Sequence, residues 1–507
     1  MSARTSVAAV DLGAESGRVV AVSFDGRRFS TEVAARFPTT SRAVGGVLRW
    51  DVEALWREVV AGLGALAQLP GPAGRAGVRS VGVDTWGVDH GILDAAGTLT
   101  ADPSCYRDPR QAAAMEELLR TVDAADLFAA TGTSVMAINS VFALLADGAA
   151  GRPAAGHRLL MLPDLFHDRL SGVAATERTA ASTTGLFDTR TRAWADALVA
   201  RLGLPRGLFG DLVDAGTDLG PVTGDVAAVL PGVRVVAPAG HDTASAVLAT
   251  PFDDPDGLFL SSGTWSLLGV ERAAPLVTPA AFTAGLTNET GFGATTQLLR
   301  TGDGLWILQE CRRQWAREGL DLGYGDLAAL AAAEPPLRSV VDTGEEEFRA
   351  PGDMPRRLRE HCARHGEPVP ETVGALARCV VDSLALGYRR TVEDLAAVTG
   401  RAAPSITVTG GGAQHAVLAQ ATADATGLPV RCGPVEATAL GNAGAQLVAL
   451  GELAGADDVR RAVAATAAVR TLEPRPSPAW DDAADRLSRR RSASGPRTTP
   501  THDGVTT

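Results

Sequence analysis

Apolar residues run together twice near the start of the chain, in "VAAV" and "VVAVSF", with the polar turn "DLGAESGR" between them. Two strand-like runs around a glycine-bearing turn predict a β-hairpin over residues 7–26. In "DVEALWREVVAGLGALAQL" (51–69) the apolar positions take helical spacing behind Asp51, a capping residue. The loop "PGPAGRAG" follows, and then a strand over 78–94, "VRSVGVDTWGVDHGILD". Strand and helix signals in alternation predict an α/β fold with a parallel core. Near 231–247, "PGVRVVAPAGHDTASAV" reads as a strand, a polar turn and the start of a helix built from small residues.

The stretch "TPFDDPDG" (250–257) marks a boundary, after which the opening pattern returns in "GLFLSSGTWSLLGVE". Gly263 and Ser266 lie 250 positions after Gly13 and Ser16, so the hairpin occurs twice with the same internal spacing. "SITVTGGGAQHAVLAQATADATGLPV" then predicts strand, glycine turn, helix and strand. The expected organisation is an N-terminal domain over 1–247, a C-terminal domain over 248–472 and a disordered tail over 485–507, where "RLSRRRSASGPRTTPTHDGVTT" leaves the folded pattern.

At 507 residues the chain exceeds what one core supports, in line with two domains. A net charge of −12 argues against a nucleic-acid partner. No run of 18 apolar residues occurs, and "SVAAV" is too short for a signal peptide, so neither a membrane partner nor export is expected and the protein reads as cytoplasmic. The five cysteines show no zinc spacing and are expected to be free thiols, with a Cys362–Cys379 pairing left open. His361 and His365 in "HCARH" share a helical face, but a solvated surface helix explains them without a metal. The chain contains no lysine; its 47 basic residues are all arginines. P-loop enzymes, protein kinases and pyridoxal-phosphate enzymes each need a lysine at the reacting group, so all three recede.

Phosphate here must therefore be met by backbone N–H groups, hydroxyls, arginine or metal. Gly13 and Gly17 permit a turn whose N–H groups form an anion-binding concavity. Asp11, repelled by phosphate itself, suits Mg²⁺ or its water shell beside the phosphates; a solvated hairpin is the alternative. Asp242, after an apolar strand and two small residues, suits the carboxylate that accepts a hydroxyl proton in phosphoryl transfer. Its alternative is a helix N-cap. Trp86 and Trp265 read as core sealing strand ends, and Arg107 and Asp108 either reach a ligand or pair on their loop.

The ordered set "DLGAESGR", "DTWGVD", "YRD", "GHDTASAV", "SSGTWSL", "GLWILQ", "GGGAQ" and "GPVEATALGN" resembles the FGGY carbohydrate kinases from about residue 7 to 470, most closely the members that act on L-rhamnulose. The resemblance implies two actin-like (ribonuclease H-like) domains with a nucleotide and sugar cleft between them, ATP with Mg²⁺, and phosphorylation of a ketose at its 1-hydroxyl. It implies Asp242 as proton acceptor, with Gly87, His241 and Thr243 beside it in the sugar site. Ala14, Glu15, Ser16, Gly17 and Arg18 match the first ATP hairpin, Thr264 the second, Gln309 an ATP-side contact, and Gly411 the glycine turn near the adenosine. Thr301 departs from the pattern, because those relatives place asparagine there in the sugar site. The competing expectations are a kinase for an L-fuculose-type or xylulose-type ketose, a catalytically silent sugar or nucleotide sensor, and a chaperone-like or filament-forming relative of actin.

Overall fold

A computed structural model describes residues 4–75, 77–149, 156–466 and 468–493. The first hairpin pairs Thr5–Leu12 with Ser16–Phe24 in antiparallel register, Asp11 opposite Arg18 and Leu12 opposite Gly17. Both strands are almost wholly buried, which explains their continuous apolar runs. Phe29–Pro38 adds to the hairpin on one side. Val78–Thr85 and then Arg234–Ala237 add in parallel on the other, and Thr217–Pro221 closes a six-stranded sheet.

The second sheet repeats this order. Leu258–Ser262 pairs antiparallel with Trp265–Arg272, which pairs with Thr296–Asp303, while Ile406–Thr409 and Val430–Cys432 follow in parallel on the far side. Two strands extend it, Thr287–Thr290 at one edge and Arg470–Leu472 at the other. The duplication read from the spacing is therefore present, with one difference. The second turn is tighter: Ser262 pairs with Ser266, and Gly263 N donates to Trp265 O at 2.9 Å, whereas Gly13 N donates to Ser16 O at 3.1 Å.

Helix Val52–Ala67 starts where expected, with Asp51 accepting from Ala54 N, and it buries Val52, Leu55, Val59, Leu63 and Leu66. Each such side chain contributes about 1.5–3 kcal/mol relative to exposure. The strand expected over 78–94 is broken: Val78–Thr85 ends at a turn through 86–89, and His90–Leu93 pairs instead with Arg158–Met161. The tail also differs. Pro478–Ala493 is a helix, with Trp480, Ala483 and Leu487 in the core of the second half, so residues 485–493 are ordered structure; 494–507 lie outside the described residues. With Trp480, Ala483 and Leu487 along one face, the helix gains enough burial to outweigh the charged composition around it.

The halves join through helices Asp242–Leu248 and Ala437–Ala449. At their crossing a Cβ on Gly441 would stand 1.8 Å from Ser245 O, so only glycine permits the approach. Helix Ala437–Ala449 also lies on the first sheet through buried polar bonds. Asn442 Nδ2 donates to Asp84 Oδ2 at 2.5 Å, Gln446 Nε2 to Ala8 O at 3.0 Å, and Ser80 Oγ to Gln446 Oε1 at 2.7 Å. All five cysteines are buried and free. Among the described residues no helix is long and apolar enough to cross a membrane.

Candidate active site

A cavity of about 790 Å³ opens between the halves. Both hairpin turns, the 86–89 turn, the start of helix Asp242–Leu248 and the glycine turn after Ile406–Thr409 reach it. Asp11, Ala14, Glu15, Ser16, Arg18, Gly87, His241, Asp242, Thr243, Thr264, Thr301, Gln309 and Gly411 all lie on its wall. Gly17 does not. It is buried behind the wall, where a Cβ would approach the Phe37 ring to 2.2 Å and Leu12 to 2.9 Å, so this glycine serves packing rather than ligand approach.

The turn before Asp242 is held by a buried carboxylate that sequence reasoning missed. Glu177 accepts from Gly240 N at 3.0 Å, from Thr179 N at 2.9 Å and from Thr179 Oγ1 at 2.5 Å, and Thr179 Oγ1 in turn accepts from His241 N at 3.1 Å. Burial pushes the Glu177 carboxyl up to about 7 despite these donors. His241 occupies the N-cap position, so Asp242 is the first helical residue and not the cap; its Oδ1 accepts from Thr243 N at 2.6 Å. The Asp242 side chain keeps 30% of its surface accessible, opening onto the cavity. Burial in the cleft raises it to about 6, with His241 opposing the shift and Asp11 adding to it. A carboxylate in that range takes up a proton readily near neutral pH.

His241 bridges two carboxylates. Its Nε2 lies 3.4 Å from Asp242 Oδ1 and its Nδ1 lies 3.1 Å from Glu289 Oε2. Burial acts against the charged ring, but Glu289 first and Asp242 second outweigh it and raise its pKa. Gly87 packs on the same imidazole: a Cβ there would meet His241 Nε2 at 3.2 Å and Thr183 Cγ2 at 2.9 Å. Val88 follows at φ 67°, a costly conformation for a β-branched residue. It is held by Thr183 Oγ1, which accepts from Val88 N at 2.8 Å. Asp89 then accepts from Trp50 Nε1 at 2.5 Å and Trp86 Nε1 at 2.7 Å, which buries Trp86 yet leaves part of it on the cavity wall. Trp265, expected in the core, is half-buried on that wall as well.

On the other side the second hairpin turn, residues 304–309 and the glycine turn form one cluster. Leu305 N donates to Gly263 O at 2.9 Å and Gly304 N to Thr264 O at 3.2 Å. Gly410, at φ 78°, and Gly412 press on Ser262, whereas Gly411 faces open space. Gln309 Oε1 is buried without a hydrogen-bond partner, an acceptor left for a ligand.

The first hairpin carries ion pairs where ligand contacts were expected. Arg18 Nε donates to Asp11 Oδ2 at 2.9 Å, and its guanidinium also meets Glu436. Glu15 pairs with Arg313 across the cleft. Among the described residues no group of three His, Cys, Asp or Glu is arranged to hold a metal. Asp84 stands behind Asp11 with its pKa well above the usual carboxylate range, through burial first and then the charge of Asp11, with Asp242 adding to it. Asp108 caps helix Pro109–Leu119 and accepts from Leu48 N at 2.7 Å, so it acts within its own half. Arg107 crosses to the other half instead, over the Trp306 ring. His361 is buried, not solvated: its Nδ1 meets Glu347 Oε1 at 2.6 Å and its ring stacks on His365 at 4.1 Å.

The sequence pattern of the FGGY carbohydrate kinase N-terminal domain matches residues 6–249, and that of the C-terminal domain matches residues 258–450. The rhamnulokinase of Bacteroides thetaiotaomicron is 38% identical over 479 residues, covering 94% of this chain and 97% of that protein. The rhamnulokinase of Enterococcus faecalis is 38% identical over 454 residues, covering 88% of this chain and 89% of its own length. In fold, the chain is similar to a gluconate kinase from Lactobacillus acidophilus at a TM-score of 0.77 and 14% identity, covering 98% and 99% of the two chains. It is also similar to a xylulose kinase from Rhodospirillum rubrum at a TM-score of 0.75 and 22% identity, covering 97% and 99%.

Proposed function

This chain belongs to the FGGY family of carbohydrate kinases, and we propose that it transfers the γ-phosphoryl group of ATP to the 1-hydroxyl of L-rhamnulose in L-rhamnose catabolism. The observation that carries the reading is Asp242. It is a carboxylate at a helix start, open to the cavity, raised toward neutrality and flanked by His241 and Thr243. Phosphoryl transfer needs positioning, charge stabilisation and one acceptor for the hydroxyl proton. Asp242 takes that proton, His241 and Gly87 hold the ketose against it, and the two-sided cavity excludes water from the transferring group.

The nucleotide is assigned to the hairpin turns, Thr264, Gln309 and Gly411. Orphaned Gln309 Oε1 and the open face at Gly411 fit a polar, flat ligand there. Asp11 and Asp242 put two carboxylates on this end of the cavity wall, which fits a cation-bearing nucleotide better than a bare triphosphate. Asp11 is the residue to hold Mg²⁺, through water, since Arg18 already occupies its carboxylate. The metal would neutralise charge on the phosphates. Dependence on ATP and buried free thiols support a cytoplasmic protein.

The deciding experiment is ADP release across a panel of ketoses with Mg²⁺-ATP. L-rhamnulose is expected to give the highest kcat/KM. Preference for an L-fuculose-type or xylulose-type ketose moves the substrate within the class, and ADP release that no sugar stimulates removes the kinase reading.

A further inference from the structure

One strand of the second sheet is built into the first half of the molecule. Along Thr287–Thr290, Ser134 N donates to Thr287 Oγ1 at 3.2 Å, Asn288 Nδ2 to Gly132 O at 2.9 Å, and Thr290 N to Ser182 Oγ at 3.0 Å. Asn288 N adds a bond to Gly132 O at 3.0 Å. Strand alternation puts Thr287 and Glu289 on one face, and both line the cavity. Glu289 is 6% exposed, and its Oε2 lies 3.1 Å from His241 Nδ1. Neither atom has an aligned hydrogen bond, although both are buried. Oε2 is held by the His241 ring in an ion pair, and Glu289 lines the cavity, where its remaining acceptor capacity is costly to leave unmet unless a ligand completes it. The bonds to Gly132, Ser134 and Ser182 hold the strand at this point, with the face that carries Glu289 toward the cavity.

We infer that Glu289 is a ketose-binding residue, accepting a hydrogen bond from a ring or chain hydroxyl of the sugar while holding His241 as the neighbouring donor. The inference rests on the ketose-kinase reading above. It makes the sugar site a product of both halves: His241, Gly87 and Asp242 come from the first, and Glu289 comes from the second. A sugar hydroxyl read by a buried charged acceptor is discriminated strongly, because an analogue lacking it leaves the carboxylate unmet.

The test is calorimetric titration of L-rhamnulose, without nucleotide, into the wild-type chain and Glu289→Gln, with a non-hydrolysable ATP analogue titrated separately. Glu289→Gln should weaken ketose binding by about 10- to 100-fold, the range for losing a charged hydrogen-bond partner, and leave nucleotide binding within about twofold. Among 3-, 4- and 5-deoxy analogues, wild-type enzyme should reject one that Glu289→Gln no longer distinguishes from the parent sugar. Ketose binding within twofold of wild type, or no change in the analogue ranking, overturns the inference while leaving the kinase reading intact. A wild-type chain that binds no ketose overturns both. If Glu289→Gln fails to fold, Glu289→Asp is measured instead: the shortened carboxylate should weaken ketose binding selectively, and equal losses for sugar and nucleotide overturn the inference.

Discussion

Arg107 stands over the Trp306 indole, 3.8 Å from the ring centroid, although the two residues belong to opposite halves of the molecule. The same guanidinium lies 5.5 Å from Trp265, and Tyr106 meets Trp265 edge-on at 6.1 Å. Together with the Glu15–Arg313 ion pair these contacts link the two halves beside the cleft. Arg107→Ala removes a cation–π contact of about 0.5–2 kcal/mol. Small-angle scattering should show a larger radius of gyration for the ligand-free variant, with KM raised for both substrates and kcat largely kept. An unchanged radius and unchanged KM values would remove Arg107 from closure.

Asp242→Asn should lower kcat by roughly 10²- to 10⁴-fold, the span of general acid–base catalysis. Binding of an ATP analogue should be retained, since the nucleotide residues lie elsewhere on the wall. Near-normal turnover would reassign the proton acceptor.

The Asp242 carboxyl, held at about 6 mainly by burial, sets a pH limb. The base must be ionised, so kcat/KM should fall tenfold per unit below about pH 6 and level off above it. An initial-rate series from about pH 5 to 8 tests this. A flat profile would mean that another group accepts the proton.

Glu177 offers a stability readout. Its folded pKa of about 7 exceeds the unfolded value of about 4.3, so the native state retains the proton longer. Its contribution is fully present below about pH 4.3 and is lost as pH rises toward about 7. Glu177→Gln cannot titrate, so the stability difference between wild type and variant should move against the wild type between pH 5.5 and 8. Denaturant midpoints at both pH values measure it; a constant difference would mean that Glu177 does not titrate on unfolding in this range.

Thr301 lines the cavity on strand Thr296–Asp303, opposite Leu267. Its hydroxyl is one group where an asparagine amide would offer both a carbonyl and an NH₂. Thr301→Asn should raise kcat/KM for L-rhamnulose more than for L-fuculose-type or xylulose-type ketoses. An equal change for all sugars would show that this position does not select among them.

Features encoded by neighbouring residues were legible in the sequence. The hairpin at 7–26, the Asp51 cap, the repeated Gly/Ser spacing and the strand-to-turn step before Asp242 all appear as local patterns, and local hydrogen bonds make them. Partners distant in the chain left no such trace. Glu177 carries no motif, yet it braces Gly240; Glu289 looks like any strand acid until the fold sets it against His241. Glycines misled in one instance, because nothing local separates a glycine that admits a ligand, such as Gly411, from one that admits the Phe37 ring, such as Gly17. The break after Thr85 was hidden because both flanking runs are apolar.

Where Gly441 meets Ser245 O, helices Asp242–Leu248 and Ala437–Ala449 meet backbone to backbone. The crossing resists separation, since Asn442 and Gln446 anchor one helix to the first sheet and both helices share one apolar cluster. The molecule thus has a backbone-to-backbone contact deep in its middle and ion pairs beside its cleft. An alanine at 441 would drive these two backbones apart and displace the helix that begins at Asp242.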